Sequence, residues 1–162
     1  MIFGKFIGVF VGKWKKELIL ARDPVGIKPL YYYCDKESLF FASETRAFNT
    51  LSFFKKDSAT NWPVYLMAYG HLPEPITTIA GVQPLPKGCF LKYNVNNKVS
   101  TFQSFAHFSF SNQIQSRRSA KEMIEKLIKQ SVEQTLTADA PVGVFFSGGL
   151  DSSIIAHTAS KY

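Results

Sequence analysis

Short apolar runs, each cut off by residues with turn chemistry, fill the first fifty positions, and this spacing predicts an antiparallel meander. Residues 6–11 read as one strand, Lys13-Trp14-Lys15-Lys16 as its turn and 18–22 as the next strand. Asp23-Pro24-Val25-Gly26 forms a loop, 30–34 a third strand, Asp35-Lys36-Glu37 a turn and 39–42 a fourth strand. Ser43 is placed to cap a short helix running through Phe48, with Glu44 where the helix dipole favours an anion. A second helix is predicted over 62–69, with Thr60 or Asn61 as its cap and Pro63 near the first position, where a missing N–H costs little.

Pro73, Pro75, Pro84 and Pro86 exclude helix from the stretch that follows. Residues 88–94 and 98–103 flank Asn96-Asn97 as a hairpin, and 104–116, rich in Ser, Phe and Gln, reads as a linker. Ser119-Ala120-Lys121-Glu122 has the form of a capping box, behind which Met123, Leu127, Ile128, Val132 and Leu136 recur at helical spacing. That helix is expected to run to about Thr137, with its apolar stripe in a core. Pro141 then leads into an apolar, β-prone run at 142–146. The elements together predict an α+β chain.

At 162 residues, 46% hydrophobic and 15% aromatic, the composition is that of a packed globular protein rather than a disordered one. The net charge of +7 raises the question of an anionic partner, but the basic residues are scattered. Lys13, Lys15 and Lys16 fall in a turn, Lys55-Lys56 in a loop, Arg117-Arg118 before the long helix, and Lys121, Lys126 and Lys129 on it. Solvated faces account for them, and no nucleic-acid partner is expected. Cys34 and Cys89 sit in apolar strand-like segments with no metal-ligand spacing, so buried reduced thiols in a cytoplasmic protein are expected and no metal site is assigned. His71, His107 and His157 are widely spaced and read as structural or surface residues. The apolar start at 1–11 is interrupted by Lys5 and punctuated by Gly4 and Gly8, which favours a strand over a signal peptide, and no run is long enough to span a bilayer.

The chemistry concentrates in Ser147-Gly148-Gly149-Leu150-Asp151-Ser152-Ser153. An apolar run ending in Ser-Gly-Gly, followed by the helix-like Ile154-Ile155-Ala156, is the layout of a strand, a phosphate-cradling turn and a helix N-terminus. Gly148 and Gly149 allow consecutive N–H groups to converge on a phosphate, and Ser147, Ser152 and Ser153 add hydroxyl donors. Asp151 would repel a bare phosphate, so it fixes the loop or helps hold a phosphate-bound Mg²⁺. The Gly-Lys-Ser/Thr of a Walker A loop is absent, which points to an ATP pyrophosphatase type of loop.

Two separate stretches resemble one family. Residues 21–32, Ala-Arg-Asp-Pro-Val-Gly-Ile-Lys-Pro-Leu-Tyr-Tyr, with Phe41-Ala42-Ser43-Glu44-Thr45-Arg46-Ala47, resemble the second half of the class II glutamine amidotransferase domain, an N-terminal-nucleophile αββα fold. Tyr69-Gly70-His71-Leu72-Pro73-Glu74-Pro75, Thr78-Ile79 and Leu85-Pro86-Lys87-Gly88 look like the interdomain stretch that follows. Residues 147–153 are similar to the pyrophosphate-binding loop of the synthetase domain, whose fold is α/β and adenine-nucleotide hydrolase-like. In that order they resemble glutamine-hydrolysing asparagine synthetase.

The resemblance implies amidotransferase residues and connector over 1–103, a linker over 104–118 and the start of a synthetase domain, one strand, loop and helix, over 119–162. It implies ATP, Mg²⁺, aspartate and glutamine as cofactors and substrates. Ser147, Gly148, Gly149, Leu150, Asp151 and Ser152 would hold the ATP β,γ-phosphates, with Phe145 beside the nucleotide. No catalytic residue is carried over. The family's glutaminase uses an N-terminal Cys, whereas the first residues here are Met1-Ile2, and a single parallel strand cannot cover its own faces. The isolated chain is therefore expected to be an incomplete and inactive part of such an enzyme. Two alternatives stand beside this reading. The chain is a non-catalytic module that completes its fold with a complementary chain, or it is part of a related amidating synthetase with another carboxylate substrate.

Overall fold

The structure, a computed structural model, describes residues 5–12, 14–51, 54, 57–109, 114 and 116–162. Lys13, Lys55-Lys56, Met1-Ile2 and part of the expected linker lie outside the described residues. The chain divides into two compact units, 1–108 and 109–162, each taken by itself below.

The meander is present. Strands β1 (Ile7–Gly12), β2 (Glu17–Arg22), β3 (Tyr31–Cys34) and β4 (Leu39–Ala42) come within a residue or two of expectation. A 3-10 helix follows at Thr45–Thr50, then helix α1 (Trp62–Tyr69), the two-residue strand β5 (Gln83–Pro84), and the hairpin β6 (Cys89–Asn94) and β7 (Val99–Ser104). All pairings are antiparallel, in two sheets ordered β1-β2-β6-β7 and β4-β3-β5. The hairpin turn is set by Asn94, whose Oδ1 accepts from the N–H groups of Asn96 and Asn97 before Lys98 takes a positive φ.

Period-two alternation decides what is buried. Leu20 and Leu91 face each other in register across β2 and β6, Leu18 faces Tyr93, and all four point one way. They meet Leu30 and Leu85 together with Tyr32, Cys34 and Leu39, so the two sheets pack face to face. Tyr31 and Tyr33, of opposite parity in β3, pack with Phe40 and Ala42 against Phe48, Phe54, Ile79 and Val82 on the outer side of the smaller sheet. Tyr33 meets Phe54 edge-on at 4.9 Å. This is an α+β unit with antiparallel sheets.

Several local expectations are corrected. Ser43 does not cap an α-helix: the turn is 3-10, starts after Glu44 and has no side-chain cap. Neither Thr60 nor Asn61 caps α1 by a side-chain hydrogen bond, although Asn61 stands at the cap position. Cys34 and Cys89 are free but half-buried rather than buried, since they lie at strand ends.

In the second unit, α2 spans Arg117–Leu136 and α3 Leu150–Ala159. The cap of α2 is Ser116, whose Oγ accepts from the Ser119 N–H, so the helix begins earlier than the 119–122 box implies. The apolar stripe is not in a core. Met123 and Leu127 are about half exposed and Ile128, Val132 and Leu136 only half-buried, because among the described residues of this unit only α3 packs on α2. Residues 142–146 form no strand, for the same reason: a strand needs a neighbour, and the described residues of this unit include none. No helix among the described residues is long and apolar enough to cross a membrane.

Candidate phosphate-binding turn

The turn at 147–149 leads directly into α3, as the sequence suggests. Gly148 adopts φ +78°, the left-handed region, and a Cβ built there would meet nothing within 4 Å, so its conformation and not crowding calls for glycine. Gly149 is extended (φ −75°, ψ 166°) and caps the helix without a side chain. Ser147 Oγ lies 3.0 Å from Ser152 Oγ and accepts from the Gly149 N–H at 3.4 Å. The Ser152 and Ser153 hydroxyls donate to the Gly149 carbonyl at 3.0 and 2.8 Å.

These bonds leave a defined set of donors. The N–H groups of Leu150, Asp151 and Ser152 lie in the first helical turn and have no acceptor within the helix, while that of Ser153 is taken by the Gly149 carbonyl. They face outward at the positive end of the helix, on an exposed turn. Asp151 is exposed and is the acidic residue of that first turn. Phe145 is fully exposed and Leu150 76% exposed. The structure thus brings together Ser147, Gly148, Gly149, Leu150, Asp151 and Ser152. Phe145 sits two residues before the turn with no packing partner recorded. Such an arrangement can offer backbone N–H groups to a tetrahedral oxyanion. Among the described residues no group of three His, Cys, Asp or Glu could hold a metal ion.

A second polar cluster, in the first unit, went unassigned from sequence. Asp23 is fully buried, and its carboxylate accepts from the N–H groups of Val25 (3.2 Å), Ile27 (3.0 Å) and Lys28 (3.0 Å). Burial alone would raise its carboxyl, but the Lys28, Ile27, Val25 and Gly26 N–H groups outweigh that and hold it below the ordinary carboxylate value. Arg22, 6% exposed, donates to the carbonyls of Lys28, Gly26 and Leu85 and to Glu74 Oε1 at 2.8 Å. The signal was present in the alternation: Leu18, Leu20 and Arg22 share one face of β2, so a charge falls on the core side.

Comparison with known proteins gives the same order along the chain. A family model described as "Glutamine amidotransferase domain" matches residues 1–106, and one described as "Asparagine synthase" matches 123–162. "Asparagine synthetase [glutamine-hydrolyzing] 1" of Bacillus subtilis (strain 168) is 32% identical over 157 residues, covering 92% of this chain and 24% of that protein. "Putative asparagine synthetase [glutamine-hydrolyzing] 2" of Methanocaldococcus jannaschii is 30% identical over 163 residues, 94% of this chain and 32% of its own length. A "Probable asparagine synthetase [glutamine-hydrolyzing]" of Dictyostelium discoideum is 27% identical over 165 residues, 100% of this chain and 25% of its own. The chain therefore spans only a quarter to a third of the length of these curated relatives.

Proposed function

Since the chain belongs to the glutamine amidotransferase domain family, with residues 1–106 matching that domain, we infer that it serves glutamine-hydrolysing asparagine synthesis. The reaction is the ATP-dependent amidation of aspartate with ammonia released from glutamine. The observation that carries this reading is the succession, in one chain, of an amidotransferase match and an asparagine synthase match that contains the Ser147–Ser153 turn. In this reaction the aspartate side-chain carboxylate displaces pyrophosphate from ATP, and ammonia then displaces AMP from the acyl adenylate.

The part of this chain in that chemistry is to hold the departing pyrophosphate. Its β,γ-phosphates take the N–H groups of Leu150, Asp151 and Ser152, with Gly148 giving the backbone its approach and Ser147 and Gly149 shaping the turn. Phe145 lies beside the nucleotide. Asp151, the one carboxylate of the turn, would either fix the loop or help hold a phosphate-bound Mg²⁺, whose charge would offset the repulsion between carboxylate and phosphate. Residues 1–103 form the amidotransferase part, 104–118 the linker and 119–162 the beginning of the synthetase part. The free thiols fit a reducing cytoplasm.

The test is a pyrophosphate titration of the 162-residue chain followed by amide ¹H–¹⁵N shifts. The Gly148–Ser152 amides should move and saturate together. Shifts confined to other residues, or none at millimolar pyrophosphate with Mg²⁺, overturn the assignment.

A second reading has its own observation. Strand β1 stands at a sheet edge with Val9, Phe10 and Val11 exposed by 43%, 62% and 69%, and it carries no charged residue to guard that edge. Under this reading the chain completes its fold with a complementary polypeptide segment, and light scattering of the purified chain would show assembly rather than a monomer.

A further inference from the structure

Residues 71–76 cross the first unit without joining either sheet. Their hydrogen bonds are local, His71 Nδ1 with the Tyr69 carbonyl and the Ile76 N–H to the Pro73 carbonyl, with one exception. Among the described residues the one long-range bond recorded for this segment is that of Glu74 Oε1 with Arg22 Nη1. Both ends are fixed differently. Gly70, in the left-handed conformation at φ 70°, ends α1 with nothing within 4 Å of its missing Cβ. Thr77, buried, donates its hydroxyl to the Ile79 and Val82 carbonyls. Leu72, Glu74 and Ile76 of the segment line a cavity of about 210 Å³ together with Arg22, Tyr31 and Thr45.

We propose that residues 71–76 are a strap, hinged at Gly70 and Thr77 and latched over this cavity by the Arg22–Glu74 ion pair. The asymmetry of the pair makes it a latch rather than a generic contact. Arg22 is held by the carbonyls of Gly26, Lys28 and Leu85, all outside the strap, so it stays in place when the strap moves. Glu74, whose side chain is 43% exposed against 8% for Arg22, can exchange its partner for water. The closed strap supplies the carboxylate that neutralises a buried guanidinium, which favours closure; little else polar opposes opening. The inference is independent of the phosphate turn and stands or falls separately from the proposed function.

The test is ¹⁵N relaxation of the whole chain, wild type against Glu74→Gln, read at His71, Leu72, Glu74 and Ile76. In the wild type their order parameters should be near the rigid value of about 0.85, and in the variant they should fall toward about 0.6 or below, while Phe90 to Tyr93 stay rigid. A second arm needs no variant. Raising NaCl to about 1 M shortens the screening length to about 3 Å, which should loosen the same residues in part, since a 2.8 Å pair with the Arg22 side chain 8% exposed is screened less than an exposed one. Unchanged order parameters in both arms overturn the proposal. A fall spread equally over strap and sheet also overturns it, since Glu74 would then support the unit at large and not a separate strap.

Discussion

Replacing Asp23 by Asn tests whether the buried carboxylate organises the loop at 24–28, and the structure gives a magnitude. The wild-type carboxylate accepts three N–H groups, Val25 and Ile27 on Oδ1 and Lys28 on Oδ2. Asn keeps an acceptor for two of them, now neutral, and opposes the third with its own NH₂. One charge-assisted bond worth about 1.5–3 kcal/mol is lost, and two others weaken by about 1 kcal/mol each. Relief of the burial penalty on the charge offsets part of this, leaving a net destabilisation of about 2–4 kcal/mol. In a urea titration followed by near-ultraviolet circular dichroism of the tyrosines, the midpoint should fall by about 1–2 M for a slope near 2 kcal/mol per M.

The pH dependence follows from the lowered carboxyl of Asp23. Because the folded value lies below the unfolded one, near about 3.9, the stabilisation is complete above that pH and is lost as pH falls through the folded value. D23N should lack this acid-side loss. A variant within about 0.5 kcal/mol of wild type, with the same acid limb, would refute the reasoning.

Three further outcomes are expected. Leu20→Ala, at a fully buried position facing Leu91, should cost about 2–5 kcal/mol by calorimetry or denaturant, and a cost under about 1 kcal/mol would mean the sheets do not pack as described. Ser116→Ala should remove about 0.5–2 kcal/mol from α2 and lower far-ultraviolet helicity, whereas Ser119→Ala should not; the reverse order would restore Ser119 as the cap. Gly148→Ala should strain the turn by about 1–2 kcal/mol through its positive φ, weaken pyrophosphate binding about tenfold or more, and leave the melting of the first unit unchanged; equal binding would remove the turn from the phosphate site.

The first unit was legible because its signals are local and repeated. Each strand is short, alternates or runs apolar, and stops at residues with turn chemistry such as Asp23-Pro24, Asp35, Ser43 or Asn96-Asn97, so β2 to β4 and the β6–β7 hairpin fall within a residue or two of their predicted places. Strand β5 was missed, since two residues including Pro84 give no pattern; they pair with β3 only because the chain has already been brought there. The Arg22–Glu74 contact was likewise out of reach, because 52 residues separate the partners and neither has a spacing that names the other. Caps were the weakest reading. Ser43 and Ser119 each have the right chemistry, but a cap is decided by where the chain turns, and at α2 Ser116 stands one turn earlier.

The candidate turn at 147–149 separates what sequence can specify from what it cannot. Gly148 in the left-handed region, Gly149 at the cap and α3 beginning at Leu150 depend on neighbours within six residues, and all three are where the residue types demand. The strand at 142–146 depends instead on partners across a sheet, and the apolar run that signals it forms none in its unit, leaving Phe145 and Phe146 exposed. The consequence is energetic. A turn anchored on one side by a helix and on the other by an unpaired segment keeps its donors but not their alignment, so binding pyrophosphate must also order residues 142–147. Ordering that segment offsets part of the roughly 1.5–3 kcal/mol that each of three charge-assisted N–H contacts to a phosphate returns, so the net binding is weak. Millimolar affinity for pyrophosphate is therefore expected of this chain, and tightening it should require a neighbouring strand for 142–146 and not another donor in the turn.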